Sequence, residues 1–141
     1  MTDFYVVWTL SSIKGNTFES LKEEFENVIK VCKTTKDPYL LSLAAGAFFN
    51  VGKLDLAKEQ AAKLVSMQDK KTGEVKGANS SITNSRGKNL IIETTSLAAI
   101  SWMNIDSSTY GPQVDLAIGF IMKSAKDGGR FGSTQATILS L

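Results

Sequence analysis

Between Tyr39 and Asn50 the chain runs twelve residues without a charge. Asp37-Pro38 stands just before this run. It supplies a carboxylate that caps a helix, then a proline whose fixed φ suits the first helical position. Leu40, Leu41, Leu43, Ala44, Ala45, Ala47, Phe48 and Phe49 wrap most of a helix's circumference. A helix apolar nearly all round has to be buried on most sides. Gly52 ends it, and the helix predicted over 54–68 is of another kind. There Leu56, Ala57, Gln60, Ala61, Leu64 and Val65 form one stripe, opposed by Lys58, Glu59 and Lys63.

The same pairing of a buried helix with a half-wet one recurs along the chain. Residues 3–14 carry Phe4, Tyr5, Val6, Val7, Trp8, Leu10 and Ile13 and leave little polar face. Gly15 stops them. Asn16 reads as an N-cap with Glu19 completing a capping-box pair. The helix that follows sets Phe18, Leu21, Phe25, Val28, Ile29 and Cys32 against Lys22, Glu23, Glu24, Glu26 and Lys30. Residues 69–89 break the pattern with Gly73, Gly77 and Gly87 among many Ser, Thr and Asn. Asn84-Ser85-Arg86-Gly87 reads as a turn, with short strands expected at 80–83 and 89–92. A third apolar helix is predicted over 93–103. Gly111-Pro112 then opens an amphipathic helix with Val114, Ala117, Ile118 and Ile121 in register. Residues 126–132 read as a glycine loop, and Ser133 caps a last apolar helix running to Leu141.

The predicted class is therefore all-α, with about seven helices and one Gly/Ser/Thr-rich loop or short β-hairpin insertion. A simple bundle does not need the alternation, whereas two concentric layers do. An inner ring of helices buried on both sides, each followed by an outer helix with one wet face, is an α/α toroid, here a partial ring. The buried helices start near residues 3, 38, 93 and 133. An α-solenoid or an irregular bundle also contains helix pairs, though solenoid repeats are usually more uniform in length. Residues 1–141 read as a single segment. The chain begins inside one helical pattern and ends inside another, which predicts a piece of a larger protein.

Composition removes most catalytic chemistry. There is no His and one Cys, so a His-based triad, a Cys–His dyad or a Cys/His zinc site cannot be built from this chain alone. No metal or cofactor is expected, and the chain does not read as an enzyme. Lys+Arg is 16 and Asp+Glu 14, a net charge of +2, which gives no electrostatic case for nucleic acid. Lys70-Lys71 is too short a run to form a patch. No apolar run approaches the roughly 18 residues of a membrane helix, so no membrane contact is expected. Met1-Thr2-Asp3 lacks the basic start of a signal peptide. Cys32 reads as a small buried apolar residue.

Two strings stand out. Gly128-Gly129-Arg130-Phe131-Gly132-Ser133-Thr134-Gln135-Ala136-Thr137 is a glycine corner with one aromatic plug, feeding a helix N-terminus that Ser133 or Thr134 caps and Gln135 reaches back to. It lacks the lysine and spacing of a phosphate-binding loop. In Asn89-Leu90-Ile91-Ile92-Glu93-Thr94-Thr95-Ser96-Leu97-Ala98, Glu93 is the single charge between Lys88 and Asp106. A carboxylate at a helix start is stabilised by the helix dipole. A catalytic one would want a second acid or a His, and no segment marks such a partner.

These strings, with Thr2-Asp3-Phe4-Tyr5-Val6-Val7-Trp8-Thr9-Leu10-Ser11, Asp37-Pro38-Tyr39-Leu40-Leu41 and Gly77-Ala78-Asn79-Ser80-Ser81-Ile82-Thr83, resemble the C-terminal part of the thioester-containing domain of the alpha-2-macroglobulin and complement superfamily. The likeness is to its bacterial and broad-specificity branch. It implies an α/α toroid, with Glu93, Thr94, Gly128, Gly129, Phe131, Gly132, Ser133, Thr134 and Gln135 as structural residues of the family motifs. It also implies a non-enzymatic part of a protease-trapping or opsonin-like parent that is secreted, periplasmic or on the cell surface. The partners implied are the rest of the parent and the proteases it takes as targets. Members with a thioester carry Cys-x-Glu-Gln near the domain start. This chain has none, and Cys32 is followed by Lys33-Thr34-Thr35, so no thioester residue is present here. A half ring leaves end helices without neighbours. Phe4, Val7, Trp8 and Leu10 at one end, and Ala136, Ile138, Leu139 and Leu141 at the other, are therefore expected to be wet, favouring self-association. Two alternatives are a toroid enzyme of the terpene cyclase or prenyltransferase type, which needs an Asp-rich or zinc site, and a helical-repeat interaction module with a polar or aromatic groove.

Overall fold

A computed structural model describes residues 2–78 and 87–128 and is all-α over that range. Six helices follow one another: α1 (Thr2–Ser11), α2 (Lys22–Cys32), α3 (Pro38–Asn50), α4 (Leu54–Met67), α5 (Gly87–Asp106) and α6 (Gly111–Gly128). Among the described residues there is no strand, and one isolated antiparallel bridge joins Gln68 to Val75.

The helices form two rows. α3 packs against α1 on one side and α5 on the other. In the second row α2 lies on α1 and α3, α4 on α3 and α5, and α6 on α5. Odd-numbered helices thus share one row and even-numbered helices the other. α3 is buried at nearly every position from Pro38 to Phe48. Its start is the one expected: the Asp37 carboxylate accepts from the Tyr39 N–H at 2.9 Å, with Pro38 at the first turn. Across the rows, Phe25 of α2 stacks on Phe48 of α3 with ring centres 5.7 Å apart. Trp102 of α5 is fully buried and its indole N–H donates to the Ala61 carbonyl of α4 at 3.2 Å. Such side chains contribute about 1.5–3 kcal/mol each when removed from water.

Within the first row, small residues let backbones approach. Ser101 of α5 donates to the Ser42 carbonyl of α3 at 3.1 Å. Gly46 of α3 lies under the Trp8 indole of α1, where an added Cβ would come within 2.7 Å of Nε1. The turn after α4 is pinned from three sides. The Gln68 amide donates to the Gly73 and Gln113 carbonyls at 3.1 and 2.9 Å, and the Val75 N–H donates to the Thr95 hydroxyl at 2.9 Å. The Asp69 carboxylate accepts from the backbone of Thr72 and Lys71. Those bonds, with the charge of Lys76 adding a smaller pull, hold its carboxyl below the usual range.

Several expectations need correction. α1 stops at Ser11 rather than 14, because the Ser11 and Ser12 hydroxyls turn back onto the Trp8 and Thr9 carbonyls. Asn16 and Glu19 form no capping box: the Asn16 amide donates to the Leu10 carbonyl and closes α1. The reciprocal pair is one step on, where the Thr17 N–H donates to the Ser20 hydroxyl and the Ser20 N–H to the Thr17 hydroxyl. Residues 89–92 are helical, not a strand, since α5 begins at Gly87. The Thr94 and Ser96 hydroxyls each donate to the carbonyl four residues back, Leu90 and Ile92, at 2.7 Å, which ties that stretch to helical geometry. Glu93 is consequently an interior residue of α5, not at its start. α6 continues through 126–128, where a glycine loop was expected. Phe4 and Val7, expected wet, are buried, because α2 and α3 close over α1, while Trp8 and Leu10 are half-buried. The expected strand at 80–83, the corner at 129–132 and the helix from 133 lie outside the described residues.

Candidate functional site

The motif helix α5 runs through the interior. Glu93, Thr94, Thr95 and Ser96 are all buried, with at most 1% of any of them exposed. Four consecutive residues point around more than one full turn of a helix, so α5 is enclosed on every side at this level. Their chemistry is committed to structure. The Thr94 and Ser96 hydroxyl protons go to α5's own carbonyls, and the Thr95 oxygen holds the Val75 N–H. Hydroxyls so engaged fasten the helix and the loop. Gly128 is the last residue of α6, on a different element from Glu93 and Thr94. Gly129, Phe131, Gly132, Ser133, Thr134 and Gln135 lie outside the described residues.

The first row presents a groove of about 380 Å³ that sequence reading missed. Tyr5, Trp8, Thr9 and Ser12 line it from α1 and its C-terminal turn, Gly46 and Asn50 from α3, and Leu97, Ile100, Ser101 and Asn104 from α5. The Tyr5 and Trp8 rings sit 5.8 Å apart, tilted by 51°. Asn50 is fixed by donating to the Ser11 hydroxyl at 3.1 Å. Among the described residues the lining has aromatic faces, amides and hydroxyls but no carboxylate, amine, thiol or imidazole. Such a surface is suited to contact rather than to proton transfer at neutral pH. The signal for it was the sparse neutral polar residues on otherwise apolar helices, which only the side-by-side placement of α1, α3 and α5 brings together.

Cys32 is buried between α2 and α4, where burial pushes its thiol up to about 12. The nearby Lys63 charge lowers the pKa and that of Glu59 raises it, both less than burial does. Lys63 donates to the Cys32 carbonyl at 2.9 Å. A thiol of that pKa is protonated at neutral pH and a poor nucleophile. Among the described residues no three Cys, Asp or Glu side chains come together in a way that could hold a metal ion. No described helix is long and apolar enough to cross a membrane.

The described residues thus form a two-row all-α scaffold with an uncharged groove lined by α1, α3 and α5. Compared against known protein families, characterised proteins and solved structures, the chain matches none.

Proposed function

We propose that this chain is the C-terminal part of an α/α toroid of the alpha-2-macroglobulin type and serves, without catalysis of its own, in a protease-trapping protein. The observation that carries this reading is the row order. α1, α3 and α5 are successive members of one row, each followed by a helix of the other, which is the order a double-layered ring would repeat. In the proposed parent, α1, α3 and α5 form part of the inner wall, and the wall excludes water from a thioester where the parent has one. The covalent step belongs elsewhere in the parent, because this chain has no Cys-x-Glu-Gln and its one thiol is buried. The parent acts outside the cytoplasm, where it meets its target proteases.

One alternative has an observation in its favour. A helical-repeat interaction module is expected to carry an aromatic and polar groove, and the groove at Tyr5, Trp8, Asn50 and Asn104 fits that description. A single assay separates the two. The full-length protein carrying this segment is mixed with several endopeptidases, and hydrolysis of a large protein substrate is compared with that of a small chromogenic peptide. A trapped protease keeps its activity on the peptide and loses it on the protein. Equal hydrolysis of both, with no complex on size exclusion, refutes trapping and leaves the interaction module.

A further inference from the structure

On the opposite side of α5 from the groove's helices, a second cleft of about 560 Å³ opens between the 71–74 turn, the first turns of α5 and the middle of α6. That volume falls within the roughly 300–1,000 Å³ of sites that enclose small molecules. Its floor is apolar and half-buried: Ile91 from α5, Leu116 and Phe120 from α6. Lys71, Lys88 and Lys123 line it from three different elements, and all three are exposed. Among the described residues that line it, two are acids. Glu74 is ion-paired with Lys76, so of these two Asp115 is left to balance three ammonium groups. Among the described residues none of those three lysines has an ion pair. A concave site with one excess sign of charge over a low-dielectric floor concentrates counter-ions.

Gly119 gives an independent indication. It lies in the middle of α6, is exposed and lines the cleft. Glycine is the least favourable residue in a helix interior after proline. Here it has no left-handed φ to explain it, and an added Cβ would meet nothing within 4 Å. Leu116, Gly119, Phe120 and Lys123 share one face of α6 at helical spacing. That face reads as an apolar residue, a gap, an aromatic ring and a cation. The missing side chain keeps the cleft open.

We propose that this cleft binds an anionic small molecule with an apolar body. The carboxylate or phosphate head is held by Lys71, Lys88 and Lys123, and the body lies over Ile91, Leu116 and Phe120 across Gly119. Lysine is a point charge without a fixed fork, so the two head groups share this chemistry and the test separates them.

The test is a fluorescence titration of the full chain with anilinonaphthalene sulfonate, beside N-phenyl-1-naphthylamine, which has the same body without the charge. Expected are one saturable site for the sulfonate, binding at least about tenfold weaker for the neutral probe, and loss of affinity with added salt. Gly119→Leu, which fills the cleft, and the double variant K88E/K123E, which reverses its charge, should each weaken binding about tenfold or more with the melting curve retained. Displacement by octanoate assigns a carboxylate ligand, and displacement by octyl phosphate a phosphate one. Equal binding of the two probes, unchanged binding in K88E/K123E, or displacement by neither competitor would overturn the proposal.

Discussion

Gly73 and Gly52 form a matched pair that tests how the turn after α4 is seated. Both have left-handed backbones, with φ of +84° and +79°. An added Cβ at Gly52 meets nothing within 4 Å, whereas at Gly73 it collides with the Leu116 carbonyl of α6. Alanine at either position therefore pays the left-handed strain, about 1–2 kcal/mol. At Gly73 there is a second cost, because the obstacle is backbone and cannot rotate aside. Relief requires the turn to lift off α6, which breaks the Gln68 amide bond to the Gln113 carbonyl of α6. Such a bond is worth about 0.5–1.5 kcal/mol. Gly52→Ala is then expected to destabilise by about 1–2 kcal/mol and Gly73→Ala by about 1.5–3.5 kcal/mol. Urea unfolding of the two variants beside the wild type measures the difference from midpoints at a common slope. Equal losses in both variants would refute the close approach of the turn to α6.

Trp102→Ala empties a fully buried site and should cost about 3–5 kcal/mol. Trp102→Phe keeps a ring but drops the bond to the Ala61 carbonyl, for a loss of about 1–2 kcal/mol, and urea melts compare the two. Cys32 should react with a disulfide reagent only once the chain is unfolded. Its thiol is raised from 9.0 to about 12 in the fold, so the folded state holds the proton more tightly. The stability this contributes is complete below about pH 9 and is lost as pH rises toward 12. Wild type should therefore lose more stability than Cys32→Ala between pH 8 and 10, and equal losses would contradict the assignment. Val6 and Ile13 at the α1 end remain exposed at 42% and 51%. We expect weak self-association through this end, seen in sedimentation at micromolar concentration and abolished by Val6→Glu; a variant that associates like wild type would place the contact elsewhere.

What could be read from the sequence depended on how local the cause was. Asp37-Pro38 and the uncharged stretch behind it carry their own start signal and their own burial, so α3 was legible to the residue. α4 was nearly so, since its stripe of Ala57, Ala61 and Leu64 has one helical phase. Leu90-Ile91-Ile92 misled, because a short run of branched apolar residues suits a strand or a buried helix equally. The hydroxyl bonds of Thr94 and Ser96, which settle the matter, are invisible in one dimension. At Asn16 the residue types allowed a cap, but a competing bond to the Leu10 carbonyl took the side chain. α1 is apolar nearly all round, so its sequence could not say which side α2 and α3 would cover. The groove and the lysine cleft were not legible at all. Tyr5, Asn50 and Asn104 meet only through the row order, and Lys71, Lys88 and Lys123 only through the seating of the turn on α6.

The proposed toroid is tested most directly by determining the structure of the full-length protein by electron cryo-microscopy. The account predicts a closed double ring in which α1, α3 and α5 are consecutive inner helices, α2, α4 and α6 lie outside them, and the groove at Trp8 faces the ring axis. An open superhelix, or a ring with α2 and α4 on the inside, would contradict it.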